Sequence, residues 1–454
     1  MGITFTQERL ILLSNLLFGD RYPDQSFTYL SGIEIFMPYF LHQYHRISSL
    51  ALVASIGLQF SVIHPSKAAI NAQLSTSCQV NSQNQSLRPK TNFLAIGGGP
   101  EPEANEIAIE KNILYFQRTL TLMGYNPAEA STFFANGNDG QATVRYLDSQ
   151  GQQQFKIPQI PHLIGASTMA NLQRSIQELS SKSKSIFFYF TGHGIPNPEN
   201  IDNNAFLLWN RDLLTVQQFS TMLDRLPADT SVVTMMSQCF SGSFANFIYS
   251  GGDPERPVAL QTRCGFFATV KTRPSVGCSP AVNEADYRDY SSSFFAGLSG
   301  RSRTGQPVAS ADYNQDRKIS YSEAHAFAKV DEYSSDWPIS TSEAWLQNQT
   351  DRIAQQTILS LPMAEILQTA RPEQRYVVNS IAQKFNFNLQ KSFLANVNSL
   401  DASKVSSDEQ KAYVIRLGME LTNIGTEKQI RSSGDKQAIA TLDKLLKCES
   451  SSWK

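Results

Sequence analysis

Two short stretches carry residues able to do nucleophilic chemistry: TGHG, centred on His193, and SQCFSG, centred on Cys239. A thiol attacks a carbonyl near neutral pH only as its thiolate. A neighbouring imidazole can take the thiol proton and later return it to a leaving amine. Gly192 and Gly194 flank the histidine, where a bare backbone allows close approach and can turn an N–H toward a developing oxyanion. Ser241, Gly242 and Ser243 follow the cysteine and keep that rim small. Each residue alone has a plainer reading, Cys239 as a small buried hydrophobe and His193 as a loop residue. Each, however, directly follows an apolar run, SIFFYF (185–190) and SVVTMMS (231–237). In an open parallel sheet such run-ends share one edge, where reactive groups collect.

A second pattern suits a hard cation. DYNQDRKISYSE (312–323) sets Asp312, Asn314, Asp316, Ser320 and Glu323 at alternating and closing positions of a calcium loop, with the Lys318 carbonyl between them. Arg317 stands where glycine normally makes the turn, and GQPVASA before it is too short for a helix. The alternative is a polar turn whose Ser320 caps the next helix, with Glu323 completing a capping box. Any calcium here would be structural. The five cysteines (Cys78, Cys239, Cys264, Cys278, Cys448) show no CxxC or Cys/His ligand spacing, which argues against a zinc site.

The elements that must position His193 and Cys239 alternate along the chain. NFLAIGGG (92–99), ASTFFANGNDG (130–140), SIFFYF, SVVTMMS and CGFFATV (264–270) read as strands. SIFFYF lacks polar alternation, so both its faces are expected to be covered. Helical spacing marks 103–124, 168–180 and 214–226, the last supplying the crossover between the two chemical strands. The fold class expected is α/β, a mostly parallel sheet between helices. After about residue 340 only helices are expected, near 351–369, 373–386, 388–398, 407–423 and 435–447, so residues 345–454 read as a separate helical domain.

At 454 residues the chain is long enough for two or three domains, and 41% hydrophobic with 17% charged residues suits a globular fold. A net charge of -1 without basic clusters argues against nucleic acid and anionic lipid as partners. Residues 1–72 read as an extension whose segment 47–72 is signal-like. A basic flank precedes ISSLALVASIGLQFSVI, and the small-residue stretch KAAINAQ follows it. Export to the periplasm or the extracellular space is expected, with translation starting at Met37. Gln59 and several serines argue against a stable membrane anchor. The polar residues 73–91 read as a linker, and residues 92–344 as the domain that carries the chemistry. In an oxidising compartment Cys264 and Cys278 could close a loop, Cys78 and Cys448 could pair or stay free, and Cys239 is expected to stay unpaired.

FYFTGHG and SQCFSGSF, in this order, resemble the two catalytic motifs of the caspase-like cysteine peptidases, with legumain the most similar branch. The resemblance spans roughly residues 92–300. It implies a caspase-like sandwich and hydrolysis of peptide or protein substrates by a Cys–His dyad without a cofactor. Cys239 would be the nucleophile and His193 the general acid/base, with the N–H groups of Gly194 and Cys239 as oxyanion hole. Ser237 stands where relatives carry a pocket Glu, Asp or Gln, and PEPEANE lacks the arginine that legumain places there. Asp289 in DYRDYSS matches an acidic pocket residue. Left unbalanced, it would favour cleavage after Arg or Lys. Legumain-like enzymes also carry a helical C-terminal prodomain over the site. If residues 345–454 play that part, deleting them should raise activity. The alternative to an exported cysteine endopeptidase is a binding or regulatory protein with a vestigial site.

Overall fold

The computed structural model describes residues 91–453, Ser183 apart. The signal-like segment 47–72, the linker up to residue 90 and Cys78 lie outside the described residues.

Among the described residues the apolar runs become a seven-stranded sheet: β1 (Thr91–Gly98), β2 (Ser131–Phe134), β3 (Leu163–Gly165), β4 (Ser185–Gly192), β5 (Ser231–Met236), β6 (Thr262–Phe267) and β7 (Ile339–Ser340). Their order is β7-β6-β5-β4-β1-β2-β3, all parallel except β7, which runs antiparallel to β6. The helices are α1 (Ile107–Leu122), α2 (Met169–Lys182), α3 (Val216–Asp224), α4 (Tyr290–Ser299), α5 (Tyr321–Asp331), α6 (Thr341–Asn348), α7 (Arg352–Ser360), α8 (Met363–Ile366), α9 (Pro372–Lys384), α10 (Phe393–Asn398), α11 (Asp408–Ser432) and α12 (Lys436–Glu449). None of the described helices is long and apolar enough to cross a membrane.

Successive side chains of a strand point to opposite faces, and β4 spends aromatics on both. Phe187 and Tyr189 enter a core with Phe116 of α1 and Phe294 and Phe295 of α4. Phe188 and Phe190 enter another with Leu172 and Ile176 of α2 and Phe219 and Leu223 of α3. Helices on both faces leave no side of the sheet to water, as the apolar runs require. A third core, Leu417 and Leu421 of α11 with Ile358, Val378 and Phe393, joins α7, α9 and α10.

Residues 345–453 are helical as expected, but they do not stand apart: the described residues belong to one compact unit. Leu442 and Leu445 of α12 lie in the Phe188 core, whereas Cys448 and Trp453 lie in the Phe187 core. The Trp453 ring sits 5.0 Å from those of Phe93 and Phe187. Cys448 is bonded to Cys264 of β6, so the loop expected between Cys264 and Cys278 is not the one closed. Cys278 and Cys239 carry free thiols. Glu449 also accepts hydrogen bonds from the Thr341 hydroxyl (2.6 Å) and the Ser342 N–H (2.7 Å) at the start of α6. Chain so built into the central core is not a removable cover. Trp453→Ala is therefore expected to lower stability by about 3–5 kcal/mol, measured by chemical denaturation. Deleting residues 345–454 is expected to abolish cooperative thermal unfolding.

Candidate active site

The register of two neighbouring strands sets the site. Phe190 of β4 pairs with Met236 of β5, and His193 and Cys239 each lie three residues beyond that pair. Beyond β4 the chain enters a small antiparallel ribbon, Gly194–Ile195 with Ala205–Leu207 and Leu213–Thr215. There Gly194 lies against the main chain of Cys239: a Cβ at residue 194 would stand 2.1 Å from the Cys239 carbonyl oxygen. Only glycine permits this approach. After Cys239 the chain turns sharply through Phe240, whose φ is +58°. A non-glycine residue in that region costs about 1–3 kcal/mol and persists where its surroundings fix it. Here the Phe240 N–H donates to the Arg273 carbonyl at 2.8 Å.

His193 is held by two acceptors. Its Nε2 lies 2.9 Å from the Ala104 carbonyl and 2.9 Å from Glu106 Oε2. Neither can donate while the carboxylate is ionised, so Nε2 carries the hydrogen and Nδ1 is left to exchange protons. The glycines ending β1 make this possible. A Cβ at residue 99 would stand 1.7 Å from the Ala104 oxygen, and the Gly99 N–H donates to Asn105 Oδ1 at 3.0 Å, which folds residues 104–106 over the strand end. Arg145 holds Glu106 from behind at 2.6 Å. Burial works against the Glu106 carboxylate, but His193 and Arg145 hold its carboxyl below the usual range. Burial likewise opposes the imidazolium of His193, yet the neighbouring Cys278 thiol and Glu106 outweigh it and hold the imidazole well above its ordinary value.

The Cys239 thiol meets the main chain of Ser275: its sulfur accepts from the Ser275 N–H at 3.3 Å and faces the Ser275 carbonyl at 3.5 Å. Burial pushes this thiol up to about 11, Cys278 adding to the effect. The Ser275 segment is held in turn by Asp336, which accepts from the Ser275 hydroxyl (2.6 Å) and the Val276 N–H (2.9 Å). Burial pushes the Asp336 carboxyl up to about 7.

The expected pocket residues do other work. Ser237 donates its hydroxyl to the Phe190 carbonyl at 3.3 Å, extending the sheet instead of lining a pocket. Asp289 caps the N-terminus of α4, accepting from the Ser292 N–H (2.9 Å), and also accepts from Asn112 Nδ2 (3.0 Å). It is not unbalanced: buried Arg303 stands 3.7 Å away. Lys271 pairs with Asp202 at 2.7 Å and Arg273 stacks on Trp337, so neither turns toward Asp289. With its charge answered, Asp289 has no surplus with which to draw a basic side chain, and the argument for cleavage after Arg or Lys falls.

At residues 312–323 the capping box forms, Ser320 and Glu323 bonding reciprocally at the start of α5. Arg317 takes the left-handed turn, φ +67°, that glycine was expected to make. Asp312 accepts from the N–H groups of Asp316 and Arg317, Asn314 from that of Asp316, Asp316 from that of Lys318, and Glu323 from that of Tyr313. The capping box of the second reading is thus present, while the bonds from the loop's own N–H groups fit a calcium loop as well as a capped turn and do not choose between them.

Glu106, Asn112, Cys278 and Arg303 were not singled out from the sequence as site residues. Glu106 reads as an ordinary acidic residue at a helix start, and the others gain their roles only through contacts across the fold.

No family model matches the chain, and no curated protein does. Among solved structures it is similar to a structural-genomics target from Geobacter sulfurreducens, at 13% identity and a TM-score of 0.27, over 42% of this chain and 76% of that one. That likeness is too slight to carry an argument. Fold and site together define an α/β protein with a mostly parallel sheet and an imidazole and a thiol beyond the carboxyl ends of two adjacent strands.

Two outcomes follow from the charges. Glu106→Gln removes the carboxylate that favours the imidazolium, so the His193 pKa is expected to fall toward its ordinary value, read by NMR titration of the ring protons. Asp289→Ala removes the cap of α4 and one of the two carboxylates beside buried Arg303, Glu284 at 4.0 Å being the other, and is expected to lower stability by about 1–3 kcal/mol, read from denaturant midpoints.

Proposed function

We propose that the chain is an exported cysteine endopeptidase of the caspase–legumain type, with Cys239 as nucleophile and His193 as general acid/base. The observation that carries this reading is the meeting of the two motifs at one sheet edge, with Gly194 lying against the Cys239 main chain. On this reading the neutral form of His193 takes the thiol proton at Nδ1 and the thiolate adds to the scissile carbonyl. The N–H groups of Gly194 and Cys239 face the oxyanion, and the imidazolium then protonates the leaving amine. The same nitrogen then takes a proton from water as its oxygen adds to the thioester carbonyl; the C–S bond breaks, the acid leaves, and the Cys239 thiolate regains the proton. Glu106 and the Ala104 carbonyl keep the ring in the required tautomer. The Cys264–Cys448 disulfide supports export, because such bonds persist in oxidising compartments.

A second reading, a binding protein on the same fold, is favoured by one observation: the Cys239 thiol is pushed up to about 11 and faces the Ser275 main chain. An electrophilic peptide probe separates the two. A peptidase is expected to be labelled at Cys239 in a manner that needs His193. Cys239→Ala and His193→Ala should each abolish peptide hydrolysis, and the double variant should be little worse than either single one, since the pair acts as a unit. Full hydrolysis by purified, folded Cys239→Ala would sink the assignment.

A further inference from the structure

The Cys278 thiol is not used by the chemistry above, yet it lies in the middle of it. One oxygen of Glu106, one ring nitrogen of His193 and the sulfur of Cys278 all lie within 4.8 Å of one another. The three come from distant parts of the chain: the start of α1, the turn after β4 and the long loop after β6. Their separation in sequence is why ligand spacing gave no sign of a metal site. A carboxylate, an imidazole and a thiolate together suit a borderline-soft divalent cation, whereas calcium and magnesium take oxygen donors. Zinc needs about 2.3 Å to sulfur and about 2.0–2.2 Å to nitrogen and oxygen, and three donors within 4.8 Å of one another can surround one such ion.

The donors are already aimed. Arg145 takes Glu106 Oε1 at 2.6 Å, which leaves Oε2 facing the imidazole at 2.9 Å. The Cys278 sulfur is anchored 3.6 Å from the Gly192 carbonyl, next to His193 in the chain. Outer contacts of this kind fix ligand orientation in metal sites. Glu106 is buried, while His193 and Cys278 are partly exposed, so an ion has a way in.

We propose that Glu106, His193 and Cys278 form an inhibitory Zn²⁺ site, three protein ligands with the fourth corner left to water. A cation bound there takes the imidazole out of proton exchange with Cys239 and holds the thiol chemistry off until the metal leaves. Metal binding stands on the geometry alone; the inhibition rests on the peptidase reading.

The test uses the full chain without reductant, so that the Cys264–Cys448 disulfide stays intact. Calorimetric titration with Zn²⁺ is expected to give one equivalent, and Co²⁺ a thiolate-to-cobalt absorption band. Cys278→Ser should lose the band and weaken Zn²⁺ by at least about tenfold, whereas Cys239→Ala should keep both. Circular dichroism checks that the variants are folded. Zn²⁺ should also protect Cys278 of the unaltered protein from alkylation, read by mass spectrometry, which requires no variant. Absence of saturable binding, a band that survives Cys278→Ser in folded protein, or alkylation of Cys278 unchanged by Zn²⁺ overturns the site. In the peptidase assay Zn²⁺ should stop hydrolysis and a chelator restore it, and whatever hydrolysis Cys278→Ser retains should resist the metal. Hydrolysis unaffected by saturating Zn²⁺ overturns the inhibitory role. Metal binding without hydrolysis in either state upholds the site and sinks the peptidase reading instead.

Discussion

The register between β4 and its two neighbours is the constraint on which the rest depends. Phe190 against Met236 sets His193 level with Cys239, and Gly98 against Gly192 sets the glycine end of β1 beside the histidine turn. A shift of one residue would send every side chain of β4 to the opposite face. Phe187 and Tyr189 would then leave one core, and Phe188 and Phe190 the other. Two separately packed aromatic layers therefore lock the same alignment that brings imidazole and thiol together. The site needs no device of its own to fix that distance, because the core already fixes it.

The helices after residue 345 act on the same place from behind. Arg416 of α11 is fully buried and donates to the carbonyls of Lys329 (3.2 Å), Glu332 (3.1 Å), Ser334 (3.0 Å) and Asp336 (2.9 Å). These bonds shape the turn that presents the Asp336 carboxyl to Ser275 and Val276, and the Ser275 N–H meets the Cys239 sulfur. Substituting one buried guanidinium would thus disturb the surroundings of a thiol that it never touches. These helices thus contribute to the surroundings of the thiol.

Long, uninterrupted apolar runs made the central strands legible, and with them the places of His193 and Cys239, because sequence alone shows what directly follows a buried strand. What it concealed was short or remote. Leu163–Gly165 and Ile339–Ser340 are too brief for any periodicity to emerge. The expected helix 407–423 runs on to Ser432, past glycines that weaken the pattern but serve packing. A Cβ at Gly425 would stand 2.6 Å from Ile358. From the sequence Cys264 could have closed a loop with nearby Cys278, while the bond formed joins residues 184 apart. Asp289 looked uncompensated because its partner Arg303 lies in the polar turn GRSRTG, where nothing suggests burial.

The bond between Cys264 and Cys448 closes a covalent ring. The strand from Gly265, the loop with Cys278 and helices α4 to α11 all lie on it, as does α12 up to Cys448. A single break of the backbone anywhere on that ring opens it without releasing either piece. The polar junction near residues 349–352 is one such place. Cleavage there would convert one polypeptide into two that stay joined, with the Arg416 helix still tied to the sheet and unchanged mass until the sulfurs are reduced, apart from one added water.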